Sequence, residues 1–386
     1  MKNNLFRKKL WTAMFSCCAL VTVLTGCGTG SKPDSNLTNF PSESEDISMN
    51  ENENTTTVSV ETENTDAEET VQTTITAPET ENVSTIEYTH RVILVSDMHY
   101  TTEETPKELK AVSPDYNTSD AAGDAFGYTQ RGKIDCIVND VNAFMENATV
   151  DAVLVLGDLS IDDYGFRTLP ANYIQKFKED CMDQLSCPSY AIPGNHDSYP
   201  NELWREVFSY DRQYSIKIGD AVFIMLDTFE AAPASGASGS DYCGIDADFL
   251  EQELEKYPTE QIFLCTHYVN HTKYDYRLNR ILKDNDRIVC LFHGHTHKND
   301  VLLPDGLAKR FLINIGGYGY QGEKIDNKWV FNQFDKAWAW GYTVLEWNET
   351  KAHVYHVKPA RHYVGGNGEF DFTETIENEL TITFNR

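Results

Sequence analysis

The segment LFHGHTHKND (291–300) sets His293, His295 and His297 at alternate positions directly after an apolar run. Neutral imidazole is the commonest side-chain ligand for metals, and on extended backbone alternate side chains share a face. His295 and His297 are thereby placed to reach two adjacent metal ions. His293, one pleat deeper at a strand end, reads as a structural residue or one that orients a ligand. Four other short stretches carry donors of the same kind. SDMHY offers Asp97 and His99, two positions apart, so a carboxylate and an imidazole leave extended backbone on one face. VLGDLS offers Asp158 behind Gly157, and its two carboxylate oxygens suit a place between two cations. IPGNHD offers the amide oxygen of Asn195, the imidazole of His196, and Asp197, a carboxylate able to orient a neighbouring imidazole. CTHY adds His267. Taken singly, each has a plain structural explanation, such as a turn-forming Asp or Asn. Taken together they are oxygen and nitrogen donors without thiolate, which suits Mn, Fe or Zn rather than copper or an iron–sulfur cluster.

These donors need elements that bring them together. HRVILVSDMHY, DAVLVLGDLS, PSYAIPGNHD, QIFLCTHY and RIVCLFHGHTH are short, β-branched apolar runs, each ending in polar residues or glycine. Near-continuous hydrophobicity over such lengths predicts strands buried on both faces. Between them, GKIDCIVNDVNAFMEN places Ile134, Ile137, Val138, Val141 and Phe144 on one helical face. DADFLEQELEKY does the same with Phe249, Leu250 and Leu254, with Asp246 as N-cap, and ANYIQKFKEDCMDQL and YRLNRILKDN are further helices. QYSIKIGDAVFIMLDT reads as a hairpin turning at Gly219-Asp220. The result is one layered α/β domain over residues 90–386, with its donors just past the C-terminal ends of strands, where open α/β sheets bind ligands.

The donors occur in a fixed order: Asp-x-His, Gly-Asp, Gly-Asn-His-Asp, a single His, then Gly-His-x-His, from 97 to 297. That ordered set resembles the calcineurin-like metallophosphoesterase superfamily. The resemblance implies a four-layer α/β/β/α sandwich of two mixed sheets flanked by helices, and a centre of two divalent or transition metal ions. On the family pattern one ion takes Asp97, His99 and His297, the second takes Asn195, His267 and His295, and Asp158 bridges them. His196 becomes the non-ligand histidine beside the leaving group, held by Asp197. GDLSIDDY lacks the Tyr that the purple acid phosphatase branch carries there, and His99 is a residue that branch lacks, so no tyrosinate colour is expected. Two divalent ions against Asp97, Asp158 and a bridging hydroxide leave a net charge of about +1, a pocket suited to a phosphate ester. In-line attack by that hydroxide, with His196 as general acid, is the implied reaction. The motifs lie nearer the diesterase branches, so a phosphodiesterase is expected; a phosphomonoesterase and a non-catalytic metal- or ligand-binding lipoprotein are the alternatives.

The remainder of the chain concerns location. Residues 1–26 combine a basic start, an apolar run and LTGC, which resembles a lipobox with Cys27 as the lipidated residue. The apolar run is shorter than the ~20 residues of a spanning helix. Residues 27–89 are rich in Ser, Thr, Asn and Glu and too poor in apolar residues to fold, so they read as an acidic tether. Together these predict an extracytoplasmic protein, held at the bacterial cell membrane by lipid alone. The formal net charge of −28 and the lack of a basic stripe argue against nucleic-acid binding. Six cysteines lie beyond the export segment: Cys136, Cys181, Cys187, Cys243, Cys265 and Cys290. Cys181 and Cys187 are the only near pair, and Cys265 and Cys290 read as small buried hydrophobes. The long stretches 101–132 and 229–244 are expected to wall the centre, and Trp338 and Trp340 to be sheet core.

Overall fold

In a computed structural model, the described residues are 87–100, 131–160, 172–229, 241–318, 322–325, 328–331, 341–365 and 368–384. All of them belong to the compact unit Pro78–Arg386. The signal segment, Cys27, the acidic tether, most of the two expected walls, and Trp338 and Trp340 lie outside the described residues. Among the described residues no helix is long and apolar enough to cross a membrane.

The strands in chain order are β1 (His90–Val95), β2 (Ala152–Leu156), β3 (Ser189–Ile192), β4 (Tyr214–Ile218), β5 (Ala221–Leu226), β6 (Gln261–Thr266), β7 (Ile288–His293) and β8 (Val301–Leu302). They continue as β9 (Phe311–Asn314), β10 (Gly322–Ile325), β11 (Lys328–Phe331), β12 (Tyr342–Trp347), β13 (Lys351–Lys358), β14 (Arg361–Gly365), β15 (Gly368–Phe372) and β16 (Thr375–Thr383). Among the described residues the α-helices are α1 (Arg131–Asn147), α2 (Tyr173–Asp180), α3 (Asn201–Phe208), α4 (Ala247–Lys256) and α5 (Tyr276–Asp284). Two six-stranded sheets form, in the orders β16-β13-β12-β1-β2-β3 and β4-β5-β6-β7-β9-β8. Both are mixed: β1, β2 and β3 run parallel, as do β5, β6, β7 and β9, and the outer pairings are antiparallel.

Three apolar layers show why the expected runs are hydrophobic throughout. Val92 and Leu94 of β1, with Leu154 and Leu156 of β2, face Phe223, Phe263 and Phe292 of the second sheet. Trp347 stands in this layer, its ring 5.5 Å from Phe223 and 5.9 Å from Phe263. The alternate residues Ile93 and Val95 turn the other way, onto Ile137 and Val141 of α1, Phe177 of α2 and Trp204 of α3. On the far side of the second sheet, Val222, Ile224 and Leu264 pack against Leu250 and Leu254 of α4 and Leu278 and Ile281 of α5. Helix, sheet, sheet and helix are thus stacked in four layers, as expected, and each central strand needs apolar residues at both parities.

Local signals also match. Asp246 caps α4 by accepting from the N–H groups of Asp248 and Phe249, and β4 and β5 join through Gly219-Asp220 with Ile218 opposite Ala221. Half of the first sheet, by contrast, is C-terminal chain in which no strand was foreseen. β12 lies antiparallel to β1, with His90 opposite Trp347 and Leu94 opposite Thr343. Cys181 and Cys187 are free, so the near pair is not a disulfide; Cys265 and Cys290 are buried among apolar neighbours.

Candidate metal centre

The parallel strands of both sheets end toward the same edge of the sandwich, and every expected donor lies in a loop there. The local geometry differs from the extended backbone anticipated for Asp97-x-His99 and His295-x-His297. Asp97, His99, Asp158, His295 and His297 all have positive φ, at 58°, 44°, 51°, 67° and 52°. Non-glycine residues rarely adopt this left-handed region, and its cost is borne where tertiary contacts over-determine the backbone. Such contacts are present. Asp97 N–H donates to Gly157 O, His99 N–H to Asp158 O and Tyr100 N–H to Leu159 O, so the segment after β1 is pinned along the segment after β2. The Asp97 carboxylate accepts from the Ser96 hydroxyl at 2.7 Å and, across the two sheets, from His295 N–H at 2.9 Å. Left-handed turns, not pleat alternation, aim these side chains inward.

Two glycines make the approach possible. At Gly157, φ is +87° and a Cβ would stand 2.6 Å from His267 Nδ1. At Gly294 a Cβ would collide with the Ser96 hydroxyl and stand 2.6 Å from Asp97 Oδ2.

The donors converge in three overlapping groups: Asp97, His99 and His297; His99, Asp158 and His196; Asp158, His267 and His295. Within each group the ligand atoms lie within 4.8 Å of one another. His99 Nε2 and His297 Nε2 are 3.1 Å apart, and His297 Nε2 is 3.3 Å from Asp97 Oδ1. On the other side His295 Nδ1 is 2.9 Å from Asn195 Oδ1 and 3.3 Å from His267 Nε2. Asp158 Oδ2 stands between, 3.1 Å from His267 Nε2 and 3.7 Å from His99 Nε2. All seven expected ligands are therefore gathered, and His295 and His297 do part toward opposite sides.

Charge and burial fit a cation. Asp97 is fully buried and Asp158 nearly so, and among the described residues their ion-pair partners are all imidazoles. Buried carboxylates without Lys or Arg are stable only if something else supplies positive charge. Burial alone would raise both carboxyl groups; His297 beside Asp97, and His267 and His196 beside Asp158, hold them below the usual carboxylate range. Burial holds His99 well below the ordinary imidazole value and His295 down to about 4, which favours the neutral imidazole that a metal takes. For His267 burial works downward, but the Asp158 carboxylate wins and raises it to about 9.

One expected role changes, and one narrows to the structural alternative. Asp197 does not orient an imidazole. Its carboxylate is fully buried and accepts from the N–H groups of Gly194 (2.9 Å), Leu159 (2.9 Å) and Ser160 (3.0 Å), and from the Ser160 hydroxyl. It clamps the loop after β3 to the loop after β2, because backbone donors, not a ring nitrogen, lie within its reach. His293 is structural: among the described residues neither ring nitrogen has a hydrogen-bond partner, and burial brings it down to about 3, neutral beside the ring of Tyr268. His196 is half-buried; its N–H donates to Asp158 Oδ1 at 2.9 Å and its ring stands edge-on to His99, centroids 4.8 Å apart. Sequence reasoning missed Ser96, which orients Asp97, and the rings of Phe229 and Tyr268, which lie 6.1 Å and 4.5 Å from that of His295. A hydroxyl or ring beside a motif carries no spacing signal, so nothing in the sequence marked them.

A four-layer α/β/β/α sandwich with carboxylates and imidazoles gathered at the strand ends makes a candidate metal centre. Residues 90–299 match the calcineurin-like phosphoesterase family, and the chain belongs to that family. Among curated proteins it is 28% identical over 170 residues to a probable glycerophosphodiester phosphodiesterase of Arcobacter nitrofigilis, covering 38% of this chain and 57% of that protein. It is 23% identical over 184 residues to a probable cyclic nucleotide phosphodiesterase of Coxiella burnetii, covering 44% of this chain and 70% of that protein. The chain thus spans little more than half the length of the first relative. Among solved structures, a dimetal phosphatase from Danio rerio aligns with 78% of this chain and 100% of its own at 11% identity, with a TM-score of 0.48. GAP50 of Plasmodium aligns with 78% of this chain and 90% of its own at 13% identity, with a TM-score of 0.45.

Proposed function

We propose that this chain hydrolyses a phosphodiester with two divalent ions, one held by Asp97, His99 and His297, the other by Asn195, His267 and His295, with Asp158 shared. The observation that carries the reading is the position of Asp158, one carboxylate oxygen within 3.7 Å of His99 and 3.1 Å of His267. When bound, such ions neutralise phosphate charge and lower the pKa of bound water. The residues' own work is distinct. Asp97 and Asp158 supply two negative charges, leaving the pocket cationic enough to draw an anionic ester. His196, half-buried and tethered through its N–H to Asp158, is the candidate to protonate the departing oxygen. That both curated relatives carry diesterase names supports a diester over a monoester.

The test is turnover of bis-p-nitrophenyl phosphate by the purified chain with Mn²⁺, abolished by EDTA. His196→Ala is expected to lower kcat by about 100-fold or more with metal content retained, whereas Asp158→Asn loses bound metal as read by elemental analysis. The reverse pattern, metal lost in His196→Ala and kept in Asp158→Asn, overturns the assignment. Turnover of p-nitrophenyl phosphate alone moves the reading to a monoesterase, and binding of Mn²⁺ without any turnover moves it to a metal-binding protein.

We propose further that the chain is lipid-anchored through Cys27 on the outer side of the bacterial cell membrane, with 27–89 as tether. The support is the LTGC sequence after the basic and apolar segments. Cys27→Ala is expected to abolish incorporation of labelled fatty acid; labelling that persists overturns it.

A further inference from the structure

Behind His196 a buried guanidinium joins the two sheets. Arg212, 5% exposed, lies just before β4, and Asp227 directly follows β5. Tyr214 pairs with Met225 in this hairpin, and continuing the register outward by two residues sets Arg212 opposite Asp227. Their side chains meet there, Nε donating to Asp227 Oδ2 at 2.6 Å. The other arm of the guanidinium leaves the hairpin. Nη1 donates to the carbonyl oxygens of Tyr199 at 2.8 Å and Asp197 at 3.3 Å, and Cζ lies 5.7 Å from the ring centre of Trp204 on α3.

Asp197 and Tyr199 belong to the loop after β3 that also carries Asn195 and His196. A residue of the second sheet's edge hairpin therefore grips a loop of the first sheet. On its other side the same loop is held by the Asp197 carboxylate on the N–H groups of Leu159 and Ser160. His196 directly precedes Asp197, at which both grips meet, and its own backbone N–H is fixed on Asp158. A buried cation is tolerated only when paired and hydrogen-bonded, and the planar guanidinium meets the Asp227 carboxylate through Nε and both carbonyls through Nη1. Hydrogen bonds to a charged donor are also stronger than those between neutral groups.

We infer that Arg212, balanced by Asp227, is a positioning residue for His196: it sets the loop so that the imidazole stands at the oxygen leaving phosphorus. This rests on the reading of His196 as the group that protonates that oxygen.

The experiment compares wild type, Arg212→Met, Arg212→Lys and His196→Ala on methyl aryl phosphate diesters whose leaving phenols run from p-nitrophenol to phenol. A poor leaving group needs its proton; a good one departs without it. Arg212→Met is expected to lower kcat about tenfold or more for phenol and several-fold less for p-nitrophenol, with metal content as in wild type. The dependence on leaving group thus steepens as it does in His196→Ala. Arg212→Lys falls between, and the double variant is no slower than His196→Ala alone, because both act through one group. Loss of kcat to the same extent for every phenol in Arg212→Met, while His196→Ala steepens the series, overturns the inference and leaves Arg212 a structural residue. A series that stays flat in His196→Ala overturns the reading of His196, and the inference with it. If Arg212→Met does not fold, Asp227→Asn carries the same comparison, since its amide oxygen still accepts from Nε.

Discussion

Asp97, His99, Asp158, His295 and His297 share a backbone conformation that L-residues avoid. Each has its strain offset by bonds that cross between loops, and glycines clear the space. Gly294→Ala tests this most directly, because the added methyl would collide with the Ser96 hydroxyl that orients Asp97. The variant is expected to lose metal affinity by an order of magnitude or so, in the range seen when groups that orient ligands are removed. Isothermal titration with Mn²⁺ reads it; wild-type affinity would mean the Ser96–Asp97 contact has no part in holding the ion. That these seven residues would be gathered at one place was legible in the sequence, since strand-end motifs survive as short strings. Their dihedral angles were not. Nothing in Asp-Met-His marks a left-handed turn, because the force that imposes it comes from residues sixty and two hundred positions away.

At the scale of elements, α1 is tied to the core through Asp140, whose carboxylate accepts from the fully buried Tyr318 hydroxyl at 3.0 Å. Burial pushes Asp140 up to about 7, the Tyr318 hydrogen bond lowers it and the charge of Glu374 raises it further. An unfolded Asp titrates near 3.9, so between about pH 4 and pH 7 the native state binds more protons than the unfolded one. Stability from this group is complete below the unfolded value and lost as pH rises through the folded one. Wild type is therefore expected to lose more of its melting temperature from about pH 5 to pH 8 than Asp140→Asn does. Parallel curves for the two proteins in thermal melts would mean that the folded protein takes up no proton here. The helix itself was legible from its apolar spacing. Its half-buried acid was not, because the Tyr partner lies 178 positions away.

For the whole molecule, the family match ends at residue 299, yet the first sheet needs β12, β13 and β16. β12 covers the flank of β1 opposite to β2 and brings Trp347 into the layer between the sheets. A chain ending at residue 340 leaves β1 with an open edge and the central layer without Trp347, a loss of several kcal/mol from that side chain alone. It is expected to show no cooperative melt, and a sharp transition in circular dichroism would contradict this. In the full chain, saturating Mn²⁺ at about a hundred times its Kd should add about 2.7 kcal/mol, seen as a raised melting temperature that EDTA reverses. An unchanged melting temperature would show that the gathered donors hold no ion.

The order of donor motifs, the buried strands and the class of chemistry were set by the sequence by itself, because each is a local property of a few consecutive residues and of their alternation. Tertiary structure alone decided that Asp97 meets His297, that Asp197 clamps backbone and not a ring, that Arg212 reaches across to the loop of His196, and that the last strands complete the first sheet. Those outcomes depend on which distant segments pack together, and packing is settled by the burial of whole faces, not by any one short string of residues.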